Sequence, residues 1–212
     1  MTPEEITPLF TRSDGAYSFA RWGRPIAPVV FGLEEASLPV IKGGVEALAA
    51  LAGHKMAELD PELGANFLIF FCRAWDELSA IPHLDAMIPD LAPLLERLEA
   101  AEANQYRIFR FDAQGGIRAC FSFLRMDAHL ETVPAETLAL SQAVQAILLW
   151  SDRAFQDRSP LARLPDGGTI LRPEIGALIR AGYDPVLPVA AGDAAHALRL
   201  SARLQAAQEG LQ

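Results

Sequence analysis

Two apolar segments joined by a short turn place the strongest constraint on how this chain folds. Residues 106–111 and 117–124 flank the turn Asp112-Ala113-Gln114-Gly115-Gly116. Apolar and more polar residues alternate in the second segment, which is the period of a strand with one buried face. We therefore predict a β-hairpin over these segments. The side chains expected in the core are Ile117, Phe121 and Phe123.

Strand and helix patterns interleave along the rest of the chain. Strands are predicted over residues 17–22, 26–31, 54–59 and 66–72, and helices over 34–52, 88–103, 135–155, 173–181 and 194–207. This order predicts an α+β fold, in which the first three helices cover a mixed sheet of about four to six strands. No linker or repeat interrupts the chain, so we predict one domain over 1–212. Residues 1–125 would form a mixed α/β part and 126–212 a mainly helical part.

Proline and glycine refine two of these elements. Pro25 and Pro28 limit the hydrogen bonds that segment 26–31 can donate, which predicts an edge strand. Gly43 and Gly44 lie inside the predicted helix 34–52, where each costs about 1 kcal/mol relative to alanine. The glycine pair therefore predicts either close packing against a neighbouring element or a break in the helix.

Composition excludes several classes of partner. The chain carries 27 acidic and 18 basic residues, and its net charge of −9 repels phosphate backbones, so no nucleic-acid partner is expected. No segment approaches the ~18 consecutive apolar residues of a membrane span. The first residues, Met1-Thr2-Pro3-Glu4-Glu5, lack the basic and apolar regions of a secretory signal. A cytoplasmic location without a membrane span is the resulting expectation.

Cysteine and histidine spacing gives no support for a metal centre. Cys72 and Cys120 have neither C-x-x-C spacing nor a neighbouring histidine, so we expect free buried thiols, with a single disulfide as the alternative. We expect no metal and no cofactor. The four histidines are not spaced as ligand pairs, and each is expected at the surface or at a helix cap: His54, His83, His129 and His196.

The predicted helix 135–155 contains positions that bind zinc in other proteins. In an H-E-x-x-H helix, two imidazoles four residues apart share one face and the glutamate between them activates water. The corresponding residues here are Ser141, Gln142 and Gln145, which are poor ligands and cannot serve as a general base. If Gln142 is exposed, its replacement by alanine should change stability by less than about 0.5 kcal/mol. The helix should pack through the apolar stripe Leu140, Val144, Ile147 and Leu148.

The same segment resembles the helix E-E-x-x-Q-x-L-G-L-x-N-D of an uncharacterised, mostly proteobacterial family of unknown function, often secreted or lipid-anchored. Ser141 and Gln142 replace the two glutamates of that pattern. The resemblance spans about residues 17–190 and implies a zincin-like scaffold whose helix has lost its metal ligands, and it leaves export possible. Residues kept in register are Gln145, Ala146, Leu149 and Asp152, and further similar segments are 21–26, 48–54, 65–70, 169–174 and 181–185.

Two groups of polar residues are candidates for a ligand groove. Arginine and aromatic residues cluster near the N-terminus, where they could capture a carboxylate or an extended peptide. The alternative is an edge strand whose arginines pair with surface acids. On the predicted helix, Ser141, Gln145 and Asp152 share one stripe, and they form either part of the groove or a structural hydrogen-bond network. With Tyr17 beside them, the candidate groove residues are Arg21, Trp22, Arg24, Ser141 and Gln145.

These features predict a non-catalytic binding or interaction protein, with a peptide or protein as a candidate partner. No catalytic residue is assigned. The alternative is a hydrolase with a non-zinc active site that the sequence does not identify. A serine hydrolase would have to pair Ser141 or Ser151 with His129 or His196. The chain contains no G-x-S-x-G sequence, which is the strand-to-helix turn that exposes a serine nucleophile in many hydrolases.

Overall fold

Strands and helices alternate over the first 125 residues, and three α-helices with short strands follow. The structure is a computed structural model that describes residues 1–209. Short 3-10 helices cover Glu35–Ser37, Trp75–Ala80 and Leu130–Thr132. The other elements are α1 (Pro3–Phe10), β1 (Phe19–Ala20), β2 (Pro28–Phe31), α2 (Leu38–Leu51), β3 (Phe67–Cys72), α3 (Leu84–Met87), α4 (Leu91–Ala100), β4 (Gln105–Phe111), β5 (Ile117–Arg125), α5 (Ala135–Ile147), β6 (Leu161–Arg163), β7 (Thr169–Leu171), α6 (Pro173–Gly182), β8 (Ala190–Ala191) and α7 (Ala195–Glu209).

A four-stranded mixed sheet organises the fold, in the order β2-β3-β5-β4. The sequence of β3, FLIFFC, is apolar throughout and all six residues are buried, as expected of an inner strand covered on both faces. β3 runs parallel to β2 and β5, while β4 pairs with β5 in the antiparallel direction. The mixed sheet and its covering helices confirm the predicted α+β class.

Helices cover both faces of this sheet. On one face α2 and α5 pack on Phe67, Ile69 and Cys120, and the core continues from there to α1, α6 and α7. On the other face α3, α4 and the 3-10 helix Trp75–Ala80 pack on Phe70 and Phe123. The sheet therefore separates two apolar clusters. Within residues 1–209, no helix is both long enough and apolar enough to cross a lipid bilayer.

The predicted hairpin and edge strand are confirmed. Ile117, Phe121 and Phe123 are 0%, 6% and 1% exposed. The alternation in β5 nevertheless suggested one solvated face, and that is wrong, because Cys120 and Ser122 are fully buried under α5 and α2. β2 lies at the edge of the sheet, where the missing N–H groups of Pro25 and Pro28 disturb no inner ladder.

The glycine pair of α2 marks a close helix contact. A Cβ atom added to Gly44 would lie 2.9 Å from the Cβ and the carbonyl carbon of Ala139 on α5, whereas one added to Gly43 would meet nothing within 4 Å. Gly44 therefore lets α2 approach α5 to a distance that a larger residue would prevent, and α2 continues through it without a break. The packing explanation for the pair is confirmed at this one position.

The predicted helix 135–155 is too long, because α5 ends at Ile147 and Leu148 is extended. Leu148 forms an isolated antiparallel bridge with Arg21. The final carbonyls of a helix need partners outside it, and here aromatic side chains supply them. The donors are Trp150 Nε1 to Val144 O (2.7 Å), Trp22 Nε1 to Ala146 O (2.9 Å) and Tyr183 OH to Ile147 O (2.8 Å).

Other local predictions need correction. The predicted strand 17–22 reduces to β1, which pairs with β8, and the predicted strand 54–59 reduces to one bridge between Met56 and Ile26. Outside β1 these segments form only isolated bridges, each to a different neighbour, so no ladder extends along them. α1 and the β6–β7 hairpin were not predicted, and the C-terminal part, residues 126–209, therefore contains strands as well as helices.

Candidate ligand-binding site

A buried polar network connects α5 to the sheet. Gln142 is fully buried, and its Oε1 accepts hydrogen bonds from Ser122 Oγ at 2.8 Å and from Arg107 Nη2 at 3.0 Å. Its Nε2 donates to Gln105 Oε1 at 2.7 Å. The condition that Gln142 be exposed is therefore not met. Gln142 lies one turn after the buried Leu138, on the buried side of α5.

Arg107 brings a positive charge into this network without a carboxylate partner. Its Nη2 also donates to Gln105 Oε1 at 3.3 Å, and its Nε is buried without a partner in the described part of the chain. None of the ion pairs found among residues 1–209 involves Arg107. Burial lowers the pKa of Arg107 to about 10, so the side chain stays cationic at neutral pH. An uncompensated charge therefore lies beneath α5.

Beside this network, a cleft of about 460 Å³ opens between α5, the segment 129–134 and the β6–β7 hairpin. We call it the α5 cleft. Gln105 links it to the buried network, because that side chain both lines the cleft and bonds to Gln142. The lining contains no aspartate or glutamate. Its other polar residues are Thr132, Thr137, Ser141, Ser159, Thr169, His129 and Arg163.

Two hydroxyl groups of the α5 cleft keep a proton that they can donate to a ligand. Ser141 Oγ accepts a hydrogen bond from Gln145 Nε2 at 2.9 Å, and Thr169 Oγ1 accepts one from Thr137 Oγ1 at 2.8 Å. A hydroxyl that accepts a bond still has its own O–H free. The exposed guanidinium of Arg163 adds further N–H groups. The α5 cleft therefore offers a ligand several hydrogen-bond donors.

The structure separates the residues predicted to form one groove. Ser141 lines the α5 cleft with Gln145 bonded to it at the helix flank, as the helix period predicted. Arg24 lines a different cleft and pairs with Asp60 at 3.3 Å and Glu62 at 3.1 Å. The alternative in which an arginine pairs with surface acids therefore holds for Arg24 and the exposed Glu62, whereas its second partner, Asp60, is buried.

The other members of the N-terminal cluster have structural partners. Trp22 is 1% exposed and caps α5, and Arg21 donates from Nη2 to Leu187 O at 3.3 Å. The Arg21 guanidinium also lies 5.6 Å from the centre of the Tyr183 ring. Tyr17 places its hydroxyl 3.1 Å from Nδ1 of His196. Trp22 therefore holds elements together, and its burial leaves it almost no surface for a ligand.

The histidines and cysteines occupy several different environments. His196 is 2% exposed, so the expectation of a surface or capping residue is wrong there, and burial lowers its pKa to about 4. His129 lines the α5 cleft with Ser141, whose Oγ bonds to Gln145.

Burial raises the pKa of Cys72 to about 11 and of Cys120 to about 12, so both unbonded cysteines are protonated thiols at neutral pH.

Residues 1–209 contain no group of three or more histidine, cysteine, aspartate or glutamate side chains that could hold a metal ion. The important residue that sequence reasoning missed is Arg107. Gln105, Arg107 and Phe109 share one face of β4, and the hairpin register places Arg107 opposite Ser122. The available signal was a pair of polar residues, Arg107 and Ser122, opposite each other on a face that also carries the apolar Phe109.

Comparison with known proteins gives no relative from which this site can be interpreted. No protein-family model matches the chain, and no curated protein or solved structure is significantly similar to it. The α5 cleft is therefore interpreted from its own chemistry.

Proposed function

We propose that this protein binds a small anionic ligand, bearing a carboxylate or a phosphate, in the α5 cleft and does not transform it. The acid-free lining of the cleft carries the proposal. The chain has 27 acidic residues and a net charge of −9, yet none of those acids lines this cleft. Hydroxyl protons and a guanidinium group are the donors that bind oxyanions in proteins.

The charges around the cleft support the same ligand class. Arg163 can offer two parallel N–H bonds to a carboxylate or a phosphate at the mouth of the cleft. Arg107 adds a positive charge behind Gln105, where the low dielectric of the interior weakens its screening by water. Because neither arginine is paired with a carboxylate in the described chain, a bound anion would supply the missing countercharge.

The absence of a catalytic role rests on the surroundings of Ser141. Its Oγ lies on the second turn of α5 and is bonded to the amide of Gln145, which cannot remove a proton. His129 lines the cleft, but the Ser141 hydroxyl is bonded to Gln145 and not to that imidazole, and no carboxylate lines the cleft to orient a histidine base. Binding through fixed donors is therefore the chemistry that this arrangement supports.

Thermal unfolding tests the proposal with phosphate and citrate as probes, against sodium chloride of equal ionic strength. A ligand at a hundredfold excess over its Kd stabilises the folded state by about 2.7 kcal/mol. We expect one or both probes to raise the Tm of the wild type, and R163Q to lose that shift. R180Q, at an exposed arginine of α6 outside the cleft lining, is the matched control and should keep it. An equal shift in all three proteins, or none in the wild type, would contradict the proposal.

The hydrolase alternative has one observation in its favour, because Ser141 and His129 line the same cleft. If the serine were a nucleophile, the protein should release p-nitrophenol from p-nitrophenyl acetate and react with a fluorophosphonate probe. We expect the wild type to show no more of either reaction than S141A. Loss of such a reaction in S141A would favour the hydrolase.

We also propose that α5 is a degenerate zinc-protease helix. Ser141 and Gln145 support this interpretation, since they occupy i and i+4 on one flank with Oγ and Nε2 2.9 Å apart. The triple mutant Ser141→His, Gln142→Glu and Gln145→His should then bind zinc, measured by calorimetry, while Gln142→Glu alone should not. A triple mutant that keeps its circular dichroism spectrum and has no zinc affinity would count against this interpretation.

A further inference from the structure

The outer edge of β4 carries backbone groups that pair with no neighbouring strand, and of these Phe109 O accepts a hydrogen bond from Arg110 Nη1 at 3.4 Å. The ladder between β4 and β5 continues one residue before β4, where Arg125 N donates to Asn104 O at 2.8 Å. Antiparallel ladder bonds alternate along a strand. Gln105, Arg107 and Phe109 therefore direct their N–H and C=O groups away from β5. No other strand pairs with β4 within residues 1–209.

The two edges of the sheet differ in how they are protected. β2 has four residues and begins with Pro28, so its edge is short and lacks a donor. β4 has seven residues and no proline. The register shift in the hairpin leaves Arg118 of β5 as the extra residue, so β4 itself stays regular through Phe111. The open edge therefore runs along the full length of β4.

The side chains of β4 restrict what can pair with it. The strand carries two arginines, three aromatic residues and no acid, and Phe111 is 44% exposed. A partner strand should not place an arginine opposite either Arg107 or Arg110, since like charges directly opposite each other are destabilising. An aromatic residue opposite an arginine is favourable.

We propose that β4 of a second copy of this chain adds to this edge in the antiparallel direction, about a twofold axis at Ile108. This register pairs all seven residues, with Tyr106 opposite the Arg110 of the other copy and Arg107 opposite its Phe109. Both arginines of each copy then face aromatic residues. Moving the axis to Arg107 would bring two arginines together, which the preferred register avoids. The two sheets join into one, in an isologous dimer.

The oligomeric state is the first test. We expect light scattering after size exclusion to give a dimer for the wild type at about 200 µM protein, dissociating on dilution by mass action. A monomer at that concentration would overturn the proposal. A protein that stays monomeric and binds a synthetic peptide with the β4 sequence QYRIFRF, in a complex that never dimerises, would also overturn the proposal.

Engineered cysteines test the register. The two Ile108 residues form a pair without mutual hydrogen bonds, whose Cα atoms lie about 4.5 Å apart, within disulfide range. I108C should therefore give at least tenfold more covalent dimer than Y106C under mild oxidation, because the two Tyr106 positions lie on the order of 14 Å apart. The wild type is the control for the buried Cys72 and Cys120. Equal cross-linking of I108C and Y106C, or none in I108C with both variants folded by circular dichroism, would refute this pairing.

Discussion

The two faces of the central sheet are built differently, although both are buried. Under α3 and α4 the contacts are apolar, as in the packing of Phe70 and Phe123 on the leucines of α4. Under α5 the core also encloses Ser122 and Gln142, with Arg107 beside them. Across residues 1–209, none of the buried polar residues lies in the α3–α4 layer; they are Asp60, Asn66, Ser122, Gln142, Ser151, His196 and Ser201.

This difference separates support of the fold from positioning of a site. A buried polar group contributes little net stability, because its hydrogen bonds in the protein replace bonds to water. A buried amide without a partner costs about 1–3 kcal/mol by mutational measures. The α3–α4 face therefore contributes stability through apolar area alone, whereas the α5 face uses polar groups whose geometry must be correct. The α5 cleft lies on that second face.

The largest effect is expected on the apolar face. Phe121 is 6% exposed and packs in the α3–α4 cluster, so Phe121→Ala removes buried area and leaves a cavity. We expect a loss of about 3–5 kcal/mol in the free energy of unfolding, measured in urea. Phe111→Ala is the matched control, because that ring is 44% exposed, and it should cost much less. A near-neutral Phe121→Ala would mean that the Phe121 ring does not contribute apolar packing on this face.

The same contrast explains how much the sequence could predict. β3 and the β4–β5 hairpin were predicted because their patterns are local: an apolar run, an alternation and a turn. The end of α5 could not be predicted, because its carbonyls are capped by Trp22 and Tyr183, which lie far away in the chain. The apolar periodicity of the sequence continues past Ile147, but the helix ends at that residue.

The candidate site was predicted only in part, for a related reason. The helix period placed Ser141 and Gln145 on one flank, and both lie there. The burial of Gln142 depends on Ser122 and Gln105, whose position under α5 follows from tertiary structure. Arg163 and Thr169 belong to the β6–β7 hairpin, which no strong pattern indicated. Sequence reasoning therefore found the helix side of the cleft and missed its opposite wall.

A smaller loss of stability is expected at acidic pH, from the buried His196. Burial lowers the pKa of His196 from 6.5 to about 4, so the unfolded chain takes up a proton before the folded protein does. Stability should be fully present above about pH 6.5 and should fall by up to about 3 kcal/mol as the pH drops toward 4. His196→Gln should flatten this dependence in urea titrations at several pH values, whereas the exposed His83→Asn should leave it unchanged. Identical slopes for all three proteins would contradict the assignment to His196.

The smallest effect compares two glutamines of α5 and tests the buried network directly. Gln142→Ala removes the acceptor of Ser122 Oγ and Arg107 Nη2, leaving buried donors unpaired, and should cost about 1–3 kcal/mol. Gln145→Ala removes one bond at a half-buried flank and should change stability by less than about 0.5 kcal/mol. If the two substitutions lowered the free energy of unfolding equally, the buried network would contribute no more stability than the single bond of Gln145. If Gln142→Ala also loses stabilisation by phosphate or citrate while Gln145→Ala keeps it, the network acts by holding Arg107 and Gln105 in place behind the cleft. The polar residues of the α5 face would then serve ligand binding. The apolar packing on the other side of the sheet stabilises the fold without buried polar groups.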